Sequence, residues 1–142
     1  MPALTLSIQG QTQFVGLPAR VTLVRWIKAA IERDTLLTLR FVGTAEGRRL
    51  NREYRGKDYA TDVLTFGYST RPTVQADIVI CVPVLKRAAC SLRKSVYDHL
   101  AHLVVHATLH AHGHHHGSAA AARSVVARER KILKSLGKGE PY

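Results

Sequence analysis

The sequence predicts a single domain of the α/β (α+β) class over residues 1–142. Three observations carry this. The length of 142 residues suits one domain. A hydrophobic content of 46% supplies a core without disulfide or metal staples and excludes a disordered basic tail. Short runs that alternate apolar and polar residues are interleaved with longer stretches whose apolar residues recur at helical spacing, the pattern of strands and helices sharing one core.

Leu4, Leu6 and Ile8 alternate with polar neighbours and predict the first strand. Gly16, Leu17 and Pro18 predict a turn into a helix that runs to about Arg33, with Val21, Val24, Ile27 and Ile31 as its apolar stripe. The stretch Leu36 to Val42, with Leu37, Leu39 and Phe41 on one side, predicts the second strand. A short helix is expected near Ala45 to Tyr54, then a basic loop; this region holds Arg48, Arg49, Arg52, Arg55 and Lys57. Val63 to Phe66 and Ile78 to Val82 predict the third and fourth strands, separated by a loop with Arg71 and Pro72, and Pro83 opens a further helical stretch. Leu100, Leu103, Val104, Ala107 and Ala111 repeat at helical spacing between Ser95 and Ala111, and Gly113 is placed to stop that helix. The last helix, Ser118 to Leu136, has a buried line of Val125, Glu129, Ile132 and Leu136 that is apolar except at Glu129.

The formal charge of +11 and a pI near 10.3 point to a phosphate-rich partner, nucleic acid first, because each neutralised phosphate releases condensed counterions. No apolar run spans a bilayer, and no basic amphipathic helix or lipidation signal binds one, so no membrane role is expected. The amino terminus lacks the features of a secretory signal, which predicts a cytoplasmic protein. Cys81 and Cys90 form no CxxC and are expected as two small buried hydrophobes.

All 8 histidines fall within residues 99–116. On a helix, His99, His102, His106 and His110 line one face. His106 and His110, at i and i+4, are the best pair to close on one ion, and the turn at Gly113 lets the chain return a third imidazole from His114, His115 or His116. Three neutral imidazoles suit zinc, with a fourth position for water whose pKa the metal lowers toward neutrality. Ala107 stands where a zinc protease of the HExxH type has its glutamate, and no other acid falls within the cluster. A zinc site without a neighbouring carboxylate, in a chain this basic, points away from peptides and toward a phosphodiester.

The segment HLVVHATLHAHGHHH, His102 to His116, resembles the H-x3-H-x5-H signature of the YbeY endoribonucleases. LNREYRGKDYATDVLTF at Leu50 to Phe66, ADIVIC at Ala76 to Cys81, and RERKILKSLG at Arg128 to Gly137 agree with that family in order and position. The resemblance implies a small α/β sandwich, with a mixed four-stranded sheet and a central zinc-binding helix. It implies a metal-dependent endoribonuclease specific for single strands, acting on ribosomal RNA at the 3′ end of the small-subunit RNA and in ribosome quality control. One Zn2+ per chain is implied, held by His106, His110 and His116, with Arg55 as the active-site arginine and small-subunit ribosomal proteins as partners. Asn51, Tyr54 and Asp62 match as well; they are expected either to shape an RNA groove or simply to cap and pack.

The chain departs from the family in having His114 and His115 where relatives have an aromatic residue and an aspartate, so His114 and His115 compete with His116 for the third position. Arg55 is expected to hold the scissile phosphate with its planar fork, or else to pair with Asp58 or Asp62 on the surface. Arg48, Arg49, Arg52 and Lys57 are candidates to track the RNA backbone, and His99 and His102 to pack or hydrogen-bond behind the ligands. Two alternatives compete with a nuclease: a non-catalytic RNA-binding assembly factor with a structural metal, and a metal-storage or metal-sensing protein.

Overall fold

The computed structural model describes residues 1–114 and 117–138. Four strands form one mixed sheet: β1 (Leu4–Gln9), β2 (Thr35–Val42), β3 (Val63–Ser69) and β4 (Val74–Cys81), in the order β1-β2-β4-β3. β1 and β4 flank β2 in parallel, whereas β3 pairs antiparallel to β4 and forms one edge. The hairpin that joins them is tied by the Ser69 hydroxyl, which reaches the carbonyls of Arg71 and Thr73. Both strands exceed the predicted apolar runs because Gln75 and Asp77 face away from the core; Val82 opens a helix instead of closing β4.

Among the described residues, five α-helices complete the fold: α1 (Arg20–Lys28), α2 (Thr44–Arg55), α3 (Val82–Ser91), α4 (Val96–Ala111) and α5 (Ala119–Ser135). Leu6, Leu37, Leu39, Phe41, Ile78 and Ile80 form the sheet's share of the main core. α4 is the central helix: it packs against α1, α3 and α5 and against β3 and β4. Its ends follow local chemistry. The Ser95 hydroxyl accepts the Asp98 amide at 3.0 Å, and Gly113, at φ 98°, turns the chain where a side chain would be strained. On the opposite sheet face, α2 covers one end through a small cluster of Val42, Leu64, Val79 and Cys81, and the rest of that face stays open.

Three expectations are corrected. α1 stops at Lys28, short of Arg33, because the following residues are taken by long-range bonds: the Glu32 amide donates to His112 Nε2, and the Arg33 guanidinium donates to the carbonyls of Thr70 and His112. Its buried face is Leu23, Trp26 and Ile27, while Val21, placed on the predicted stripe, is 75% exposed. Cys81 is buried as expected but Cys90 is exposed, on the outer side of α3.

Candidate functional site

His99, His102, His106 and His110 descend one face of α4, as the spacing predicts. The structure adds an acid that no local pattern places there. α5 packs against α4 and delivers Glu129, fully buried, to the histidine face. One carboxylate oxygen of Glu129 bonds His106 Nδ1, and the other lies 3.4 Å from His102 Nε2. His102, His106 and Glu129 thus offer three ligand-type atoms within 4.8 Å of one another, a possible metal-binding group in its own right. The expectation of a histidine cluster without a neighbouring carboxylate is therefore corrected.

The contact has a chemical consequence. An imidazole that donates Nδ1–H to a carboxylate is fixed in the tautomer whose Nε2 carries a lone pair, and this nitrogen points away from Glu129. His106, partly exposed, is so arranged to offer Nε2 outward, one helical turn from the exposed His110. The donor set is therefore of the kind that fits a borderline-soft divalent cation.

Beyond the helix, His112 and His114 are committed elsewhere. His112 Nδ1 donates to the Thr108 carbonyl at 2.8 Å while Nε2 accepts the Glu32 amide at 3.1 Å. Burial is the main reason its pKa lies below the ordinary histidine value, so the ring stays neutral. His114 Nε2 lies 2.9 Å from a Glu32 oxygen that Arg128 also binds, at 2.7 Å. Burial acts to raise the Glu32 pKa, but His114 and Arg128 outweigh it and hold the carboxyl below its usual range. This clamp ties His114 to the segment that follows α1. His115 and His116 lie outside the described residues.

Farther along the face, His99 Nε2 lies 3.8 Å from Asp62, an ionic approach longer than a formed hydrogen bond. This imidazole is the first cause that keeps the half-buried Asp62 carboxyl below its ordinary pKa, against the opposing effect of burial. Asn51 is fully buried, and its amide donates to the Tyr59 carbonyl at 2.7 Å, which ties the loop after α2 to the helix. Tyr54 stands exposed with its ring 4.9 Å from that of Phe66.

Arg55 ends α2, exposed, and among the described residues it enters no ion pair or hydrogen bond. The competing expectation of a surface pair is met by its neighbours instead. Asp58 is bound in a fork by Arg48, at 2.8 and 2.9 Å, with Arg52 at 3.8 Å, and Arg49 lies 3.6 Å from Glu46. Lys57 is exposed in the following loop.

A helix that presents two imidazoles at one-turn spacing, backed by a buried carboxylate and set against a mixed four-stranded sheet, defines an α/β protein with a histidine-rich candidate metal centre. Comparison with known proteins places it more narrowly. The chain is 48% identical to the endoribonuclease YbeY of Methylibium petroleiphilum over 143 residues, covering 99% of this chain and 95% of that one. It is also 48% identical to the protein of the same name from Bordetella pertussis, covering 98% and 96%. Residues 15–137 match the family model described as Endoribonuclease YbeY, and the chain belongs to that family. A Thermotoga maritima protein solved in solution shares the fold, with a TM-score of 0.59 at 21% identity over 94% of this chain and 92% of that one.

Proposed function

We propose that this protein is a zinc-dependent endoribonuclease that cuts single-stranded RNA. Its substrate in this reading is ribosomal RNA, at the 3′ end of the small-subunit RNA, within the cytoplasm and alongside small-subunit ribosomal proteins. Family membership supports the endoribonuclease activity. The observation that carries the metal chemistry is the pair His106 and His110 with His106 Nδ1 anchored on Glu129.

His106 and His110 would hold one ion, with His116 as the third ligand. The ion, when bound, supplies Lewis acidity where charge builds on the scissile phosphate. Arg55 has no carboxylate to satisfy among the described residues, so its planar fork is available to donate two hydrogen bonds to phosphate oxygens. Arg49 and Lys57, and more weakly Arg48 and Arg52 because Asp58 already engages them, add charge along the RNA backbone. The attacking oxygen is either that of water or the RNA's own 2′-hydroxyl; products ending in a cyclic phosphate would assign the second.

A second reading is favoured by one observation: His102, His106 and Glu129 already lie within coordinating distance of one another. In that arrangement a buried ion is structural and the protein is an RNA-binding assembly factor. The test compares wild type, His110→Ala, His102→Ala and Arg55→Ala for zinc content, folding and cleavage of a labelled single-stranded ribosomal RNA fragment. Loss of zinc and cutting in His110→Ala, with Arg55→Ala folded, zinc-bound and slower by roughly a hundredfold or more, supports the nuclease. Zinc retained in His110→Ala but lost in His102→Ala, with RNA binding and no cutting by any of them, overturns it.

A further inference from the structure

The open face of the sheet and the histidine end of α4 share a wall. On the open face lies a cleft of about 710 Å³ lined by Arg40, Tyr54, Phe66, Gly67, Tyr68 and Asp77, among others. On the α4 side lies a second hollow of about 450 Å³, bounded by His110, Ala111 and Gly113 and by the strand β3. Thr65, Gly67 and Tyr68 line both. β3 is the sheet's edge, and the two hollows lie on either side of it with that strand as the shared wall of a trough.

We propose that the open-face cleft is a base-stacking subsite for single-stranded RNA, in which Tyr54, Phe66 and Tyr68 take the bases beside the cut while the backbone crosses β3 at Gly67 to reach His110. The proposal rests on the nuclease reading for its orientation and on the aromatic residues for its chemistry. Tyr54 and Tyr68 are 65% and 66% exposed, an unusual outlay of ring surface for side chains with no core to pack. Neither ring is loose. Tyr68 is anchored by its hydroxyl, which donates to Asp77 at 2.7 Å, and Tyr54 is set edge-on to Phe66 at 4.9 Å. Rings held in place lose little freedom when a base stacks on them, and stacking accepts any base because each has a π-face.

Net charge favours a polyanion as the occupant. The chain carries +11, and Arg40 lines the cleft with its guanidinium paired to Glu46. Among the described residues that line the cleft, the acid is Asp77, and one of its oxygens is occupied by the Tyr68 phenol. A duplex would keep its bases stacked on each other, so the rings favour a single strand. Gly67 gives the crossing its width: a Cβ built there meets nothing within 4 Å, so a side chain at this position would project into the trough and not into the protein.

The test measures binding of a fluorescent single-stranded RNA of about ten nucleotides by anisotropy, at two salt concentrations, in a His110→Ala background so that cleavage does not intrude. Tyr54→Ala and Tyr68→Ala are each expected to weaken binding about tenfold with the salt slope unchanged, since stacking releases no counterions. Gly67→Leu should weaken binding of the ten-nucleotide strand while a dinucleotide binds as before. Circular dichroism checks the fold of each variant. Affinities equal to the parent, or losses shared equally by double-stranded RNA, would overturn the proposal; equal affinity is also the result if this face takes a protein. Its failure is separable from that of the nuclease reading. Wild type that binds with these dependences but never cuts keeps the stacking face and loses the enzyme, whereas cutting unaffected by either tyrosine does the reverse.

Discussion

Replacing Glu129 tests whether the buried carboxylate orients His106 or is itself a ligand. Glu129 is fully buried on α5, with one oxygen on His106 Nδ1 and the other 3.4 Å from His102 Nε2. Glu129→Gln keeps the volume and an acceptor for His106 but removes the negative charge that makes the ring a better donor to metal. Outer partners of this kind change metal affinity by about 10- to 100-fold, roughly 1.4–2.7 kcal/mol. Glu129→Ala goes further: it strips both imidazoles of a partner in a buried setting, where breaking such a contact costs about 3–5 kcal/mol of stability. Zinc competition against a chromophoric chelator reads the first effect, and urea denaturation of the metal-free protein reads the second. Glu129→Gln should bind one zinc per chain with affinity lowered by one to two decades and a near-parental urea midpoint. Parental affinity would refute the orienting role. Loss of stoichiometric zinc in both Glu129 variants, with zinc kept by His110→Ala, would refute it differently, by making Glu129 a ligand.

Three further outcomes follow from single contacts. Gly10 sits at φ 76° with Phe41's backbone where a Cβ would go, so Gly10→Ala should cost at least about 2 kcal/mol in urea unfolding; an unchanged midpoint would contradict the close approach. The hydrogen bond to Asp77 is the main reason the Tyr68 phenol is pushed up to about 12. Stability from that bond is complete below the unfolded value of 10.0 and is lost as pH rises through about 12, so an alkaline absorbance titration should show one late phenol that Tyr68→Phe removes. Asp62 is held below its ordinary value of 3.8, chiefly by His99, so its contribution is present above that value and lost as pH falls through the lower folded one. Asp62→Asn should therefore show a shallower fall in urea midpoint below pH 4 than wild type, and parallel curves would count against the pairing.

What could be read from the chain was what short-range rules govern. The α4 histidines fell in line because 3.6-residue periodicity and the Ser95 cap set that helix locally. The sheet's inner face was legible at Leu37, Leu39 and Phe41 because alternation records burial on one side. The α1 stripe held at Ile27, with Val24 and Ile31 packed against the core, but missed at Val21, because packing turned the helix to bury Leu23 and Trp26 beside Ile27. Its early stop depends on His112 and Thr70, which are remote in sequence. The trough over β3 was equally hidden, since Tyr54 and Tyr68 become neighbours of one cleft only when α2 lies across the sheet.

Glu129 falls between these cases. Its spacing placed it on the buried line of α5, the only charge there, and the structure leaves it no solvent. A carboxylate taken out of water costs several kcal/mol unless donors meet it, so a helix that buries one requires a donor-bearing partner opposite. The candidates were few. α4 is the apolar helix α5 packs against, and the side chains that interrupt its apolar surface at regular intervals are imidazoles. The pairing of Glu129 with His106 thus follows from asking what would make its burial tolerable, and the same contact that solves the folding problem of α5 sets the outward nitrogen of His106 for metal.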